Sequence, residues 1–529
     1  MDFSTPPILR QASDSSDKIT SADPYPMDPL LDLESGTNHE LSKPVPGVWR
    51  VPTTDLCCIY RVPNCLRRVS PEAYTPQLVL IGPLHYSLKL QALKSRGDIT
   101  NARLMDYLNM EEHKKFYIAE FAKRPEGKNI IDGFKRVIKE DEAVIRASYL
   151  ESTAWIKSPK FVEMILHDSV FILEFMLRRS VEAATEKTGD PLIDEPCLAQ
   201  EINRDLILLE NQIPFFILEK LFDPTVSKLR KKTFHQLTIK HFEFQDEKGS
   251  DAKFRHFTDL LRLVRVETVP DHAFERCYEP MYQMYSADKL DGGGIKFEAV
   301  ENPLSVLVTF EKGVLKIPKF LADDDAEITI RNIMALEQCH YPFNSHVSDY
   351  IMFLDFLIDT KKDVSLLVEK GIITIGLGNH GSVAKIVNKL CLGVLDNGSF
   401  YTDIATKVIK HYGNSCNKSR SILRRVYFSN LWRGTATLVA AFLLLLSLIQ
   451  AVTSIIDVIK EPQTLIRDPD SIRDSIRIRS EIRSGFDPRF DPDPVRKSGY
   501  PEGPNPDPDS KMLDPSKPDP DPDPDIMIF

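Results

Sequence analysis

The 529-residue chain lacks a signal-like start: its first residues, MDFSTPPILRQASDSSD, carry acids and prolines where a secretion signal needs a basic start and an apolar run. A cleaved signal is not expected. Cysteine is sparse, with Cys57, Cys58, Cys65, Cys197, Cys277, Cys339, Cys391 and Cys416 scattered and neither a C-x-x-C pair nor a Cys/His spacing that suits zinc. They read as reduced thiols, and a chain of this length can bury a core without staples. Positive charge is not in excess either. The net charge is −10, residues 1–55 hold four bases against nine acids, and residues 461–529 hold ten against sixteen. Residues 56–460 are thus left near neutral at +1, which offers no basic face for a nucleic acid.

What is present is mainly helical. Residues 1 to about 45 are rich in Asp, Ser and Pro without apolar periodicity, so residues 1–50 are expected to be a disordered acidic arm. From about residue 56 the composition is that of a globular protein. In MEEHKKFYIAEFAKR, Met110, Phe116, Tyr117 and Phe121 fall near the i, i+3, i+4, i+7 spacing of an amphipathic helix. FVEMILHDSVFILEFMLRR is apolar on most of its circumference and predicts a core helix. DLILLENQIPFFILEKLF carries Pro214 in mid-run, which predicts two helical pieces hinged there. PLSVLVTFEKGVLKIPKF alternates around Lys312-Gly313 and predicts a small β-hairpin. Helices are expected again at ITIRNIMALEQCH and SDYIMFLDFLIDT.

Residues 435–456, TATLVAAFLLLLSLIQAVTSII, carry no charge. About 22 residues at 1.5 Å each cover about 33 Å, enough to cross a hydrocarbon core of about 30 Å. Residues 461–529 are charged and end in DPSKPDPDPDPD, and proline at alternate positions blocks helix and sheet ladders, which predicts a disordered tail. Lys407, Lys410, Lys418, Arg420, Arg424, Arg425 and Arg433 precede the span, and basic flanks stay cytosolic. The N-terminal part is therefore expected to face the cytosol, leaving the sequons at Asn397 and Asn417 unglycosylated.

Three motifs invite a chemical reading. Gly376-Leu377-Gly378-Asn379-His380-Gly381 is a literal G-x-G-x-x-G after the strand-like Ile372–Ile375, with Asp396 in the place of a ribose-binding acid. A dinucleotide site needs several βα repeats, however, and the span begins about 40 residues later. A turn and helix cap is the expected role. Cys339-His340 places a thiol beside an imidazole, but adjacent helical residues point about 100° apart and no orienting partner is identifiable. His85 has no second histidine at ligand spacing. Glu210-Asn211-Gln212 sits between LILL and IPFF, where an unpaired buried polar group costs about 1–3 kcal/mol. It is expected to form a polar cluster capping the break at Pro214.

Several segments, in order, resemble one plant family, the proteins carrying domain of unknown function 247. They are Ile59-Tyr60-Arg61-Val62-Pro63, Ala73-Tyr74-Thr75-Pro76, Ile81-Gly82-Pro83 with His85, Met110–Lys114, Met164–Phe175, Asp205–Phe222, Gly313–Pro318, Arg331–His340, Tyr350–Thr360 and Tyr427–Trp432. They cover roughly residues 56–457. Leu84 and Tyr86 depart from the residues usual around His85, Gly376 and Gly381 are not part of the pattern, and the Asp-Pro tail is unusual in a family that typically ends soon after the span. The resemblance implies a C-terminal transmembrane helix and no established enzymatic activity, in a family some of whose grass members are linked to pollen self-incompatibility.

The expected architecture is mainly α: a helical domain over 56–430 with a small β-hairpin element, and one transmembrane helix over 435–456, between the arm and the tail. The expected function is that of a membrane-anchored interaction or recognition module in the plasma membrane or an endomembrane. It would meet the bilayer through 435–456 and a protein partner through the domain, with no nucleic acid and no catalytic, cofactor or metal site. The alternative is a hydrolase or transferase using a pocket that gathers Glu210, His167 or His340.

Overall fold

The computed structural model describes residues 45–464 apart from 51–54, 96–99, 125, 181–186, 225–231, 245–252, 268–280, 282–283, 303, 377 and 415–430. Most of the expected arm and, beyond Thr464, the expected tail lie outside the described residues. The chain divides into two compact units, Met1–Thr435 and Ala436–Phe529.

The first unit opens with α1 (Asn64–Arg67), a 3-10 turn (Pro71–Tyr74), α2 (Tyr86–Lys94), α3 (Ala102–Ala122), α4 (Gly127–Glu140) and α5 (Glu142–Ala147). Then come α6 (Ser158–Arg179), α7 (Pro191–Asp194), α8 (Pro196–Leu206), α9 (Phe215–Phe222), α10 (Phe234–His241) and α11 (Phe257–Val266). As the sequence predicts, α6 is the core helix, with fifteen of its 22 residues buried. Pro159 in its first turn needs no donor there, and Arg178 and Arg179 in its last turn complement the helix dipole. Its Ile165, Phe171 and Phe175 pack with Tyr117 and Phe121 of α3, Phe134 and Ile138 of α4, and Phe215 of α9. Each such side chain contributes about 1.5–3 kcal/mol by leaving water. One expectation for α3 is corrected: Met110, Tyr117 and Phe121 are buried, but Phe116 is 45% exposed. It lies off the buried stripe and against His113, ring centres 5.4 Å apart.

A second core gathers α12 (Ala287–Gly292), α13 (Ala326–His340), α14 (His346–Leu357), α15 (Lys361–Glu369), α16 (His380–Leu390) and α17 (Thr402–Gly413) around five short strands. The hairpin forms where expected: β2 (Thr309–Glu311) and β3 (Val314–Pro318) pair antiparallel, Glu311 opposite Val314. Both Lys312 (φ 49°) and Gly313 (φ 82°) take the left-handed conformation that a two-residue hairpin turn with matching twist requires. Not foreseen was β1 (Lys296–Val300), which lies parallel to β3. A separate parallel pair joins β4 (Phe320–Ala322) to β5 (Ile373–Ile375).

The run through Pro214 also differs from expectation. Helix α8 ends at Leu206 and α9 starts at Phe215, so Ile207–Pro214 is an irregular segment eight residues long, not a hinge at one proline. Though irregular, it is buried from end to end. Residues 55–85 are also mostly irregular and about half buried, and a small third core ties the two segments together: Val62, Leu66 and Tyr74 with Leu209, and with Ala335 and Leu336 of α13.

The long helix α18 (Leu431–Thr464), all but its first five residues in the second unit, extends beyond the uncharged run at both ends. Thr435–Ile459, 25 residues long, reaches a mean hydropathy of 2.4 over an 18-residue window and is long and apolar enough to cross a membrane.

Gly82 marks how closely the two irregular segments approach. Its φ is +72°, and a Cβ there would stand 2.4 Å from the backbone oxygen of Gln212. Gly189 has a similar φ of +82° with nothing within 4 Å. Gly189→Ala therefore carries backbone strain alone, about 1–2 kcal/mol, whereas Gly82→Ala must also displace the Gln212 peptide, for a total of about 3 kcal/mol or more. Thermal unfolding of the full chain in mild detergent measures both, and equal losses would contradict this packing.

Candidate functional site

The segments singled out by sequence converge on one polar junction, built from Ile207–Pro214, residues 57–85 and the helices around them. Glu210 is fully buried and accepts from the Val62 amide (2.6 Å), from Arg61 at 3.3 Å, and from Arg67. Asn211 accepts from the Ile81 amide (2.7 Å) and donates to the Val79 and Asp205 carbonyls (3.0 and 2.9 Å). Gln212 donates to the Leu206 and Leu208 carbonyls and accepts from the Phe257 amide at the start of α11. The trio does cap the loose carbonyls near the α8 end, as expected. Its larger role is to bind chain up to 148 residues away, counted from Val62 to Glu210.

Neighbouring side chains extend this pattern. Asp205, at the end of α8, accepts from the amides of Gln77, Leu78 and Val79 at 2.7–2.8 Å. Burial pushes its carboxyl up to about 7, against those three donors, which favour the charged form. Asp168 of α6 accepts from the Gly82 amide (3.0 Å) and from Lys114 (2.6 Å), whose ammonium also reaches Glu111 and the Leu80 carbonyl. Lys114 is wholly buried; burial alone would lower it, yet Asp168 and Glu111 hold it above its ordinary range. Asn332 of α13 donates to the Ala73 carbonyl and accepts from the Leu209 amide.

Where the junction reaches the surface, Arg61 bridges Glu151 and Glu210 and donates to the Leu84 carbonyl. Its side chain is 35% exposed and that of Arg67 25%, against 1% for Glu210. His85 stands 3.9 Å from Glu210, too far for a hydrogen bond. Burial, with Arg61 and Arg67 nearby, pushes its imidazole down to about 3, so it is neutral at physiological pH.

The remaining motifs fall elsewhere. Tyr60 donates to the Cys57 carbonyl (3.2 Å) and meets His340 Nδ1 at 2.7 Å, while Arg255 donates to His340 Nε2. An arginine only donates, so Nε2 accepts and the proton of the neutral ring sits on Nδ1. Burial, then Arg255, holds this imidazole down to about 4. Both of its nitrogens are therefore committed, and burial pushes the adjacent Cys339 thiol up to about 12. That thiol has neither the base nor the low pKa of a nucleophile. Gly376 closes β5 against Ala322, and Asn379 caps α16 by accepting from the Ser382 amide at 2.9 Å. Asp396 accepts from the Gly398 amide within its own loop. The glycine run is thus a turn and cap on a two-stranded sheet; Leu377 lies outside the described residues. Glu210, His167 and His340 share no hydrogen bond. Among the described residues, no group of three or more His, Cys, Asp or Glu side chains is placed to hold a metal ion.

Asp168, Asp205, Lys114 and Asn332 lie within the family segments, but the sequence reading gave none of them a role. A signal was there for two of them, since Asp168 and Asp205 interrupt apolar runs as Glu210 does.

Comparison with known proteins decides the relationship. The model of a plant family of unknown function, DUF247, matches residues 59–446. The chain belongs to the DUF247 family. A UPF0481 protein of Arabidopsis thaliana is 27% identical over 438 residues, covering 77% of this chain and 87% of the relative. A putative UPF0481 protein of the same plant is 21% identical over 497 residues, covering 74% and 89%. No solved structure matches the chain. The DUF247 match begins at Ile59, within the buried irregular segment, and so takes in nearly all of the junction.

Removing the Glu210 carboxylate leaves the Val62 amide unpaired, takes from Arg67 its anion and leaves Arg61 with Glu151 alone. Because Arg61 and Arg67 are partly solvated, they can rehydrate, and Glu210→Ala is expected to destabilise the domain by about 2–4 kcal/mol. Chemical denaturation of the detergent-solubilised chain measures it; a loss below about 0.5 kcal/mol would contradict the assigned role.

Proposed function

We propose that this DUF247 protein is a membrane-anchored interaction module: α18 holds it in a plant plasma membrane or endomembrane, and the helical unit presents its surface to a protein partner in the cytosol. The observation that carries the reading is the apolar helix Thr435–Ile459, charged only at Asp457 near its end, whose leucines, isoleucines and phenylalanine are exposed, Leu444 by 72%. Burying such a helix in hydrocarbon satisfies its side chains, while its backbone is already paired within the helix. Orientation rests on charge: Lys407 and Lys410 lie in α17, Lys418, Arg420, Arg424 and Arg425 lie outside the described residues, and Arg433 opens the apolar helix.

A non-catalytic role is supported by the way the buried ionisable groups are used. Glu210, Asp205, Asp168 and Lys114 spend their hydrogen bonds on backbone groups and on the ion-pair partners Arg61, Arg67 and Glu111 or each other, which leaves the outer surface as the part available to a partner. Protease added to sealed microsomes carrying the full chain is expected to digest the N-terminal unit from the cytosolic face. Protection of that unit, or glycans on Asn397 or Asn417, would overturn the orientation, and release of the full chain by carbonate would overturn the anchor.

A further inference from the structure

In the interior of the α18 span the one strongly polar side chain is Gln450; the charged Asp457 lies near the end of the span. The apolar stretch Thr435–Ile459 is centred on Ser447, so at 1.5 Å per residue Gln450 sits about 4.5 Å from the midpoint. In a hydrocarbon core about 30 Å thick that leaves roughly 10 Å to the nearer interface, beyond the reach of a carboxamide on two methylenes. Neighbouring polar groups do not relieve it: Ser447 and Thr453 turn their hydroxyls back onto the carbonyls of their own helix, at Leu443 and at Ile449 and Gln450. The Gln450 side chain has no hydrogen-bond partner among the described residues. By helical spacing Val439, Leu443, Leu446, Ser447, Thr453 and Ser454 lie within about 60° of Gln450, while Leu445, Val452 and Ile456 lie about 120° or more away. One face thus joins apolar side chains and the small Ser447 and Ser454 to an amide at depth that needs a partner.

Resting on the membrane-anchored reading above, we propose that α18 pairs in the bilayer with α18 of a second copy of this chain, parallel and through the Gln450 face. A second copy is the occupant that the chemistry favours. A carboxamide carries both a donor and an acceptor, so it is complementary to itself. A parallel two-fold pair places the two Gln450 amides at the same depth without any further requirement. A different helix would have to supply its own polar group at that level.

The test uses full-length chains labelled with donor or acceptor dyes and reconstituted together in phosphatidylcholine vesicles, with energy transfer measured as the protein-to-lipid ratio is varied. Transfer well above that of randomly distributed monomers is expected for the wild type. Gln450→Leu is expected to weaken association by about three- to twentyfold, and Leu445→Ala, on the far side, to leave it unchanged. Wild-type transfer at the random level, or equal transfer in Gln450→Leu, would overturn the pairing. Flotation of the same samples separates the two readings: chains that float with the vesicles yet do not pair refute the pairing alone, and chains that fail to float refute the anchor and the pairing with it.

Discussion

A long stretch of chain, residues 57–85, dips repeatedly into the interior with little regular secondary structure, and buried peptide groups there must find hydrogen bonds or cost about 1–3 kcal/mol each. Helices and sheets satisfy that demand internally. Here it is met by side chains reaching in from elsewhere: Glu210 for the Val62 amide, Asp205 for three successive amides, Asn211 for Ile81 and Val79, Asp168 for Gly82, Lys114 for the Leu80 carbonyl, Asn332 for Ala73. The donors and acceptors come from α3, α6, α8, α13 and the irregular segment before α9. Both large hydrophobic cores are therefore tied to a strand of chain that neither could hold by apolar contact alone.

This explains which parts of the fold were legible. Apolar periodicity lies in neighbouring residues, so the core helix α6, the helices α13 and α14 and the hairpin at Lys312-Gly313 could be read directly. The uncharged run of α18 was equally plain, and so was the family, from ordered short segments. The partner of Glu210 could not be read, because Val62 lies 148 residues earlier and nothing local points to it. For the same reason Pro214 suggested a hinge, whereas the polar side chains of Glu210–Gln212 sit in an eight-residue irregular segment between the helices and bond to distant chain. Phe116 was misplaced because spacing near i+3 or i+4 does not say which edge of a helix stripe meets the core.

The same constraint shapes the functional reading. A domain whose buried ionisable groups hold its own backbone keeps a rigid shape and offers chemistry mainly at its surface. Joined to an apolar helix, such a domain suits recognition beside a membrane. His85, His340 and Cys339 fit this picture: burial holds both imidazoles neutral and the thiol protonated, states suited to a fixed interior.

Native-state hydrogen exchange tests the central claim most directly, because it reads the opening free energy amide by amide. If side chains hold the irregular segment as firmly as the helices hold themselves, the amides of Val62, Gln77, Leu78, Val79, Ile81 and Gly82 will exchange only with global unfolding, alongside Ile172 and Leu173 in the middle of α6. Exchange of those six amides through openings several kcal/mol easier than those of α6 would show that the junction does not hold the chain, and would contradict the account.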